Sequence, residues 1–214
     1  MPIDTSLPFL PVNIAVLTVS DTRTEADDRS GAILVQRLTD ADHRSVAKGI
    51  VPDEIDRIEA RLRAGSAAPT VDAVLTTGGT GVTGRDTTPE AVQAVVDKGI
   101  PGFGELFRWL SFQTIGTSTI QSRAMAGVAD GTCIFTLPGS TGACKDAWDG
   151  ILSTQLDSRF RPCDFVEPTP RLEEWDETPR LGPATARPPA SRLPRAVTPP
   201  QRRTIRTWAR SRRC

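Results

Sequence analysis

The sequence predicts an α/β domain built on parallel strands, followed by a C-terminal tail with no core of its own. Three observations carry this. Residues 13–19, 71–75 and 133–137 are short, β-branched, apolar runs, the pattern of strands buried on both faces. Each run passes through a polar or glycine-containing loop into a segment with helical apolar spacing. From Pro168 that periodicity stops, and residues 171–214 carry eleven arginines and seven prolines with too little apolar content to bury a core, so disorder is expected there.

Charge divides the chain in the same place. The formal net charge is zero. Residues 1–170, however, hold 15 Lys and Arg against 22 Asp and Glu, a net of −7, and residues 171–214 hold 11 Arg against 4 acids, a net of +7. A body of roughly 165 residues buries about 70% of its unfolded surface and needs no disulfide or metal staple. The four cysteines, Cys133, Cys144, Cys163 and Cys214, form no Cys-x-x-Cys pair and have one histidine for company, which argues against a zinc site and a disulfide framework. The N-terminal apolar stretch is broken by Pro8 and Pro11 and has no basic flank, unlike a signal peptide or a membrane span. A reducing, cytoplasmic setting is the expectation.

The first strand, 13–19, leads into the polar loop 20–29, which carries Asp21, Asp27 and Asp28. Ser20 and Asp21 stand at a strand's carboxyl end and are candidate ligand contacts; the competing reading is a solvated helix start. Ser30 and Gly31 open a helix with Ile33, Leu34 and Leu38 on one face and Arg37 at its edge. His43, in a polar connection before a strand at 45–51, reads as a surface residue and not as a base. Asp53 then precedes a helix marked by Ile55, Ile58 and Leu62. It is either the N-cap of that helix or a second carboxylate aimed at the ligand of the next loop.

That loop is Thr76-Thr77-Gly78-Gly79-Thr80-Gly81-Val82-Thr83-Gly84-Arg85-Asp86. Three glycines in four positions let main chain pass close to a ligand, and the helix beyond, with Thr88 as candidate N-cap, Pro89 first and Glu90 in the first turn, points amides at the same place. A phosphate-bearing ligand fits this arrangement. The stretch lacks a P-loop ending and the dinucleotide fingerprint, so a tight structural turn is the alternative. Asp86 beside a phosphate cradle would repel the ligand unless a divalent cation, magnesium by its chemistry, lies between them.

Val92, Val95, Val96 and Ile100 mark the buried face of the following helix, with Lys98-Gly99 as its end. Residues 102–110 form a glycine-hinged apolar segment in which Glu105 and Arg108 either pair at i,i+3 or reach the site. Residues 117–128 place Ser122-Arg123 on a helix, Arg123 being a candidate anion contact. The last strand, 133–137, enters Pro138-Gly139-Ser140-Thr141-Gly142 and a helix with Ala143, Ala147, Trp148, Ile151 and Leu152 inward. This is a second anion-holding turn, unless Ser140 or Thr141 merely caps. Two such turns point to a ligand with two phosphate ends. In the tail, Arg202 to Arg213 around Trp208 could touch nucleic acid or an acidic membrane. The acidic body makes that the weaker reading.

Together the motif Leu-Thr-Thr-Gly-Gly-Thr-Gly-x4-Asp with Thr-Pro-Glu-Ala, the Thr-Val-Ser-Asp loop, Gly102-Phe103-Gly104-Glu105, Thr117 to Arg123 and Pro138-Gly139-Ser140 resemble the MoaB/MogA proteins of molybdenum cofactor biosynthesis. The likeness spans about residues 10–168, and Ile115-Gly116-Thr117-Ser118-Thr119 resembles the MoaB branch. The arginine-rich tail is not part of that pattern, so the chain divides into an N-terminal arm at 1–12, a domain at 13–168 and a tail at 169–214. The resemblance implies a three-layer α/β/α domain with a mixed, mostly parallel sheet, trimers or hexamers, and molybdopterin adenylyltransferase activity, in which ATP and molybdopterin yield adenylylated molybdopterin and pyrophosphate. A downstream molybdate-inserting protein is an implied partner. The family's two essential carboxylates fall on Asp86 and Asp53, which would hold magnesium. Members without the second acid are silent, so Asp53 separates an enzyme from a pterin-binding scaffold. On this reading Gly78, Gly79 and Gly81 amides with Thr77 and Thr80 hydroxyls orient phosphates, and Pro138, Gly139 and Ser140 hold the other phosphate end.

Overall fold

Four parallel strands carry the fold in the computed structural model, which describes residues 3–169 and 172. Expectations for the tail beyond residue 169, its disorder and basic end included, lie outside the described residues apart from position 172. The chain runs through β1 (Asn13–Val19), α1 (Arg29–Asp40), β2 (Arg44–Val51), α2 (Ile55–Ser66), β3 (Ala73–Thr77), α3 (Thr88–Val95), β4 (Lys98–Gly99) and α4 (Pro101–Ile115). A 3₁₀ turn (Gly116–Gln121) then leads to β5 (Met125–Ala129), β6 (Thr132–Leu137) and α5 (Thr141–Ala147), which continues through a π turn (Trp148–Leu152) into α6 (Ser153–Gln155).

The six strands lie in the order β2-β1-β3-β6-β5-β4, with β2, β1, β3 and β6 parallel and β5 and β4 antiparallel to their neighbours. This is the mixed, mostly parallel sheet expected. Alternate residues along each strand go to opposite faces. Val16, Leu75 and Phe135 pack with Leu34, Leu38, Phe107 and Leu152 on one side, while Leu17, Val74 and Ile134 pack with Ile58, Leu62 and Val92 on the other. Two apolar layers are thereby buried by one sheet, each fully buried Leu or Ile stabilising by about 1.5–3 kcal/mol. Truncating Ile58 or Leu62, both 0% exposed, to Ala would cost roughly 2–5 kcal/mol.

Register sets the position of the site. Thr18 of β1 stands beside Thr77 of β3, and Thr77 beside Leu137 of β6, while Val19 pairs with Val51 of β2. All four parallel strands therefore end at one edge, and the chain, having gone from β1 out to β2, returns to β3 on the other side of β1. The crevice at such a switch point is where open α/β sheets bind ligands.

Several local expectations are corrected. The third strand runs from Ala73 to Thr77, so Thr76 and Thr77 belong to the sheet. Lys98-Gly99 is a strand pairing with β5, and the helix before it ends at Val95. Ser122 and Arg123 lie in extended chain before β5, not on a helix. β5 escapes a propensity reading because Ala126, Gly127 and Ala129 are small residues, which pack poorly in isolated strands. Gly127 is required by close approach, since a β-carbon there would lie 2.7 Å from Val96 Cγ1. Asp130-Gly131, both at positive φ, closes the β5–β6 hairpin and is a turn signal that the sequence displays openly.

His43 is buried, not on the surface. The N-terminal arm folds over it: Val12 donates its amide to His43 Nδ1 at 3.2 Å, and the ring lies between Phe9 and Trp148. The same arm is tied to the end of the domain by Leu10 N to Ser158 Oγ, 2.9 Å, and Asp4 N to Arg159 O, 2.9 Å.

Candidate active site

A cavity of about 480 Å³ opens over the carboxyl ends of β1, β3 and β6, within the range of roughly 300–1,000 Å³ usual for small-molecule sites. Its floor is two glycine turns set main chain against main chain. Gly78 continues the sheet by donating its amide to Leu137 O at 3.0 Å, and Thr77 Oγ1 donates to Pro138 O at 3.0 Å. A β-carbon on Gly139 would stand 3.2 Å from Gly78 Cα. Gly78 and Gly79 take φ of +105° and +62°, values that L side chains rarely adopt. Phe107 and Ile115 from α4 add apolar lining to a cavity otherwise bordered largely by hydroxyl-bearing and glycine residues.

Most of the expected binding residues meet here: Ser20, Thr77, Gly78, Gly79, Thr80, Gly81, Asp86, Pro138, Gly139 and Ser140 all border the cavity. Their functions divide on inspection of their bonds. The Gly78 amide is used by the sheet, and the buried Thr77 hydroxyl joins the two turns. Neither of these two groups is available to orient a phosphate, which corrects the expectation for them. The amides of Gly79 and Thr80 find no protein acceptor among the described residues. Ser140 caps α5 by accepting from Ala143 N at 3.1 Å, and Ser20 accepts from Thr22 N and Arg23 N at 3.3 and 3.2 Å. Each serine thus uses its lone pairs on backbone and keeps its O–H to donate to a ligand.

Asp86 borders the cavity at the far end of the glycine turn. Its carboxyl is held below the usual carboxylate range chiefly by the Thr83 hydroxyl, at 2.6 Å, with the Thr83 and Gly81 amides and the Arg123 charge assisting against partial burial. It is ionised at neutral pH. Asp53, buried, does not cap α2: the N-cap position belongs to Glu54, which makes no side-chain cap bond. Asp53 reaches across to α3 instead, its Oδ1 accepting from Thr87 N and Thr87 Oγ1 at 2.9 and 2.8 Å. Its other oxygen lies behind Gly79, where a β-carbon would come within 2.6 Å of it. A β-carbon on Gly81 would meet Asp86 Oδ2 at the same distance. The two carboxylates therefore back onto two glycines of one turn, Asp86 at the cavity edge and Asp53 behind the main chain. Thr88, expected as a cap, lies inside α3 and donates its hydroxyl to Gly78 O at 2.9 Å.

Asp21 and Arg123 take other roles than those expected. Asp21 turns to Arg85 and to the amide of Asp53, away from the cavity. Arg123 braces the glycine turn from outside, donating to Gly81 O at 2.7 Å, to Asp86 O at 2.5 Å and to Glu90. Arg108 likewise donates to Ala124 O.

Arg23 is a site residue that the sequence reading missed. Among the residues bordering the cavity it is the single cation. Its guanidinium is aimed by Ser30 Oγ at 3.0 Å and Gly139 O at 3.1 Å. Behind it Asp28 is buried; burial alone would raise its carboxyl pKa, but the Gly31 amide, Lys48 and Thr18 outweigh burial and lower it. The signal available was position, since Arg23 sits three residues beyond Ser20 in the loop after a parallel strand.

The cavity thus has one fixed cation, one fixed carboxylate with a second behind it, donor hydroxyls and some apolar lining. Among the described residues no three His, Cys, Asp or Glu side chains converge as an all-protein metal cage. One carboxylate at the cavity edge and a second behind the turn are oxygen donors of the kind magnesium takes, one or two carboxylates sufficing where water and substrate phosphate complete the shell.

Residues 15–158 match the family model described as "Probable molybdopterin binding domain". The chain is 51% identical over 160 residues to the Molybdenum cofactor biosynthesis protein B of Escherichia coli K12, covering 75% of this chain and 94% of that relative. With the Bacillus subtilis protein of the same name it is 44% identical over 146 residues, 68% of this chain and 86% of the relative. Among solved structures, one of a Molybdenum cofactor biosynthesis protein B superposes with a TM-score of 0.70 at 40% identity, covering 77% of this chain and 98% of that one. The tungsten cofactor synthesizing protein MoaB of Pyrococcus furiosus gives 0.60 at 37% identity, covering 67% and 91%.

Proposed function

The chain belongs to the molybdopterin-binding MoaB family of molybdenum cofactor biosynthesis proteins, and from that premise we propose that it transfers the adenylyl group of ATP to molybdopterin. The observation that supports this reading is the pairing of Asp53 and Asp86 behind and beside one glycine turn. The reaction joins two anions: a terminal phosphate oxygen of the pterin attacks the α-phosphorus of ATP, the bond to the β-phosphate oxygen breaks, and pyrophosphate leaves. Alignment and charge neutralisation, more than a strong base, lower such a barrier.

Asp86 and Asp53 are the residues that would hold magnesium, which when bound offsets the repulsion between the two phosphate groups. The chain's own groups do the rest. The free amides of Gly79 and Thr80 and the hydroxyls of Ser20 and Ser140 donate to phosphate oxygens, and Arg23, held by Ser30 and Gly139, supplies a fixed positive charge. Phe107 and Ile115 exclude water where they line the cavity. Purified chain given ATP labelled on the α-phosphate together with molybdopterin should form a labelled pterin adenylate and release pyrophosphate in equal amount.

A second reading is favoured by one feature: the Asp53 carboxylate is engaged by Thr87 and stands behind the turn. A chain that binds molybdopterin without transferring the adenylyl group would retain pterin in the same experiment and release no pyrophosphate.

The reading also includes assembly as a homo-oligomer, trimer or hexamer. α4 is apolar on both faces: Phe103 and Phe107 point inward, while Leu106, Trp109, Phe112 and Ile115 are exposed. Four large apolar side chains exposed on one helix form a patch of the kind that another chain covers. Among the described residues no helix is long and apolar enough to cross a membrane.

A further inference from the structure

Asp86 is enclosed by a ring of hydrogen bonds made by its own sequence neighbours. On one side Arg85 grips Asp21 with two donors, Nη2 to Oδ1 at 2.6 Å and Nε to Oδ2 at 3.0 Å. On the other side Thr87 donates both its amide and its hydroxyl to Asp53 Oδ1. The ring closes because Asp53 donates its amide to Asp21 Oδ1 at 3.0 Å. Asp21 therefore accepts from both Arg85 and Asp53, and three loops, after β1, after β2 and after β3, meet on one carboxylate.

Stability does not account for the Asp21–Arg85 bridge. The two side chains are 38% and 62% exposed, and ion pairs so open to water contribute little to folding. What a bidentate guanidinium–carboxylate pair does supply is fixed orientation. Here the orientation imposed is that of the segment 85–87, and with it the place from which Asp86 extends, its carboxylate being held in turn by Thr83. The charges of Asp53 and Glu54 also act on Arg85, so the guanidinium is held toward the acidic end of the site.

The geometry points to Asp21 and Arg85 as positioning residues that hold Asp53 and Asp86 in register with each other, and not as contacts to a phosphate. The kinetic half of this inference rests on the adenylyl-transfer reading; the structural half does not. A misplacement of about 1 Å in such a site lowers turnover on the order of 100-fold, so loss of the ring should act on kcat and leave substrate affinity largely in place.

The test uses the full chain and four variants: Asp21→Asn, Arg85→Gln, Arg85→Lys, and the charge reversal in which Asp21→Arg is combined with Arg85→Asp. Amide hydrogen exchange read by mass spectrometry on peptides covering residues 50–56 and 83–90 reports the ring without any substrate. Expected is faster exchange at both peptides in Arg85→Gln, partial protection in Arg85→Lys, recovery in the charge reversal at 83–90 but not at 50–56, where Asp21→Arg removes the acceptor of the Asp53 amide, and melting temperatures near that of the parent throughout. In the transfer assay the first two variants should lose roughly 10- to 100-fold in kcat with KM for ATP changed less than about threefold. Unchanged exchange in Arg85→Gln would overturn the inference even if the parent chain transfers nothing. So would a large rise in KM for ATP at unaltered kcat, which would make Arg85 a phosphate contact. A parent chain without transferase activity whose exchange responds as described would sink the proposed reaction and leave the ring standing.

Discussion

Gly79 and Asp53 are in contact through the place where a side chain is missing: a β-carbon on Gly79 would lie 2.6 Å from Asp53 Oδ2 and 2.2 Å from Thr88 Oγ1. The turn is thus thin enough for a carboxylate to act from behind it. Gly79→Ala should push Asp53 off Thr87 and add strain at φ +62° of roughly 1–2 kcal/mol. Turnover is expected to fall by about two orders of magnitude with far-ultraviolet circular dichroism unchanged. Gly84→Ala, where a β-carbon meets nothing within 4 Å, is the control, and should match the parent in both measurements.

Asp53 has a structural and a proposed chemical role, and two substitutions separate them. Asp53→Asn keeps an oxygen for Thr87 and should melt close to the parent while losing transfer. Asp53→Ala leaves the Thr87 amide without its partner and should lose a further 1–3 kcal/mol or so of stability. Thermal melts beside turnover assays distinguish the two; transfer preserved in Asp53→Asn would remove the residue from the chemistry.

His43 should make stability depend on pH. Burial lowers its pKa below the ordinary 6.5, outweighing the opposing charges of Asp157 and Asp42. Above 6.5 the ring is neutral both folded and unfolded, so it adds no pH dependence there. As pH falls below 6.5 the unfolded chain takes up the proton first, and stability is lost until the pH passes the lower folded value. Protonation also removes the acceptor from Val12 N. Melting temperatures measured from pH 7.5 down to 5 should decline, and the decline should be much reduced in His43→Asn.

The apolar outer face of α4 predicts self-association. Native mass spectrometry should find a trimer or hexamer, and Trp109→Glu, at a position 61% exposed in the single chain, should shift it toward monomer with the fold intact. A parent chain that is monomeric at micromolar concentration would refute this assembly.

What the sequence revealed and what it hid follow from range. The glycine turn was readable because its requirement is local: positive φ at Gly78 and Gly79 and the absence of a β-carbon under Asp86. The parallel strands were readable because burial on both faces leaves an uninterrupted apolar run. Asp53 was ambiguous because its partner, Thr87, is 34 residues away and is brought near only by the register of β2 on β1 and β1 on β3. His43 was misread for the same reason, since its polar neighbours in sequence are replaced in space by Phe9 and Trp148. Arg23 had no periodicity to announce it, and its direction is set by Gly139, 116 residues on. The β5–β6 hairpin, by contrast, is announced by Asp130-Gly131, a local turn signal at positive φ.

The most direct test is adenylyl transfer by Asp86→Asn beside the parent chain, each given α-labelled ATP and molybdopterin. The parent should release pyrophosphate and accumulate labelled pterin adenylate, while the variant, folded and still binding pterin, should form none above background. Near-parental turnover by Asp86→Asn would contradict a role for that carboxylate between the two phosphates.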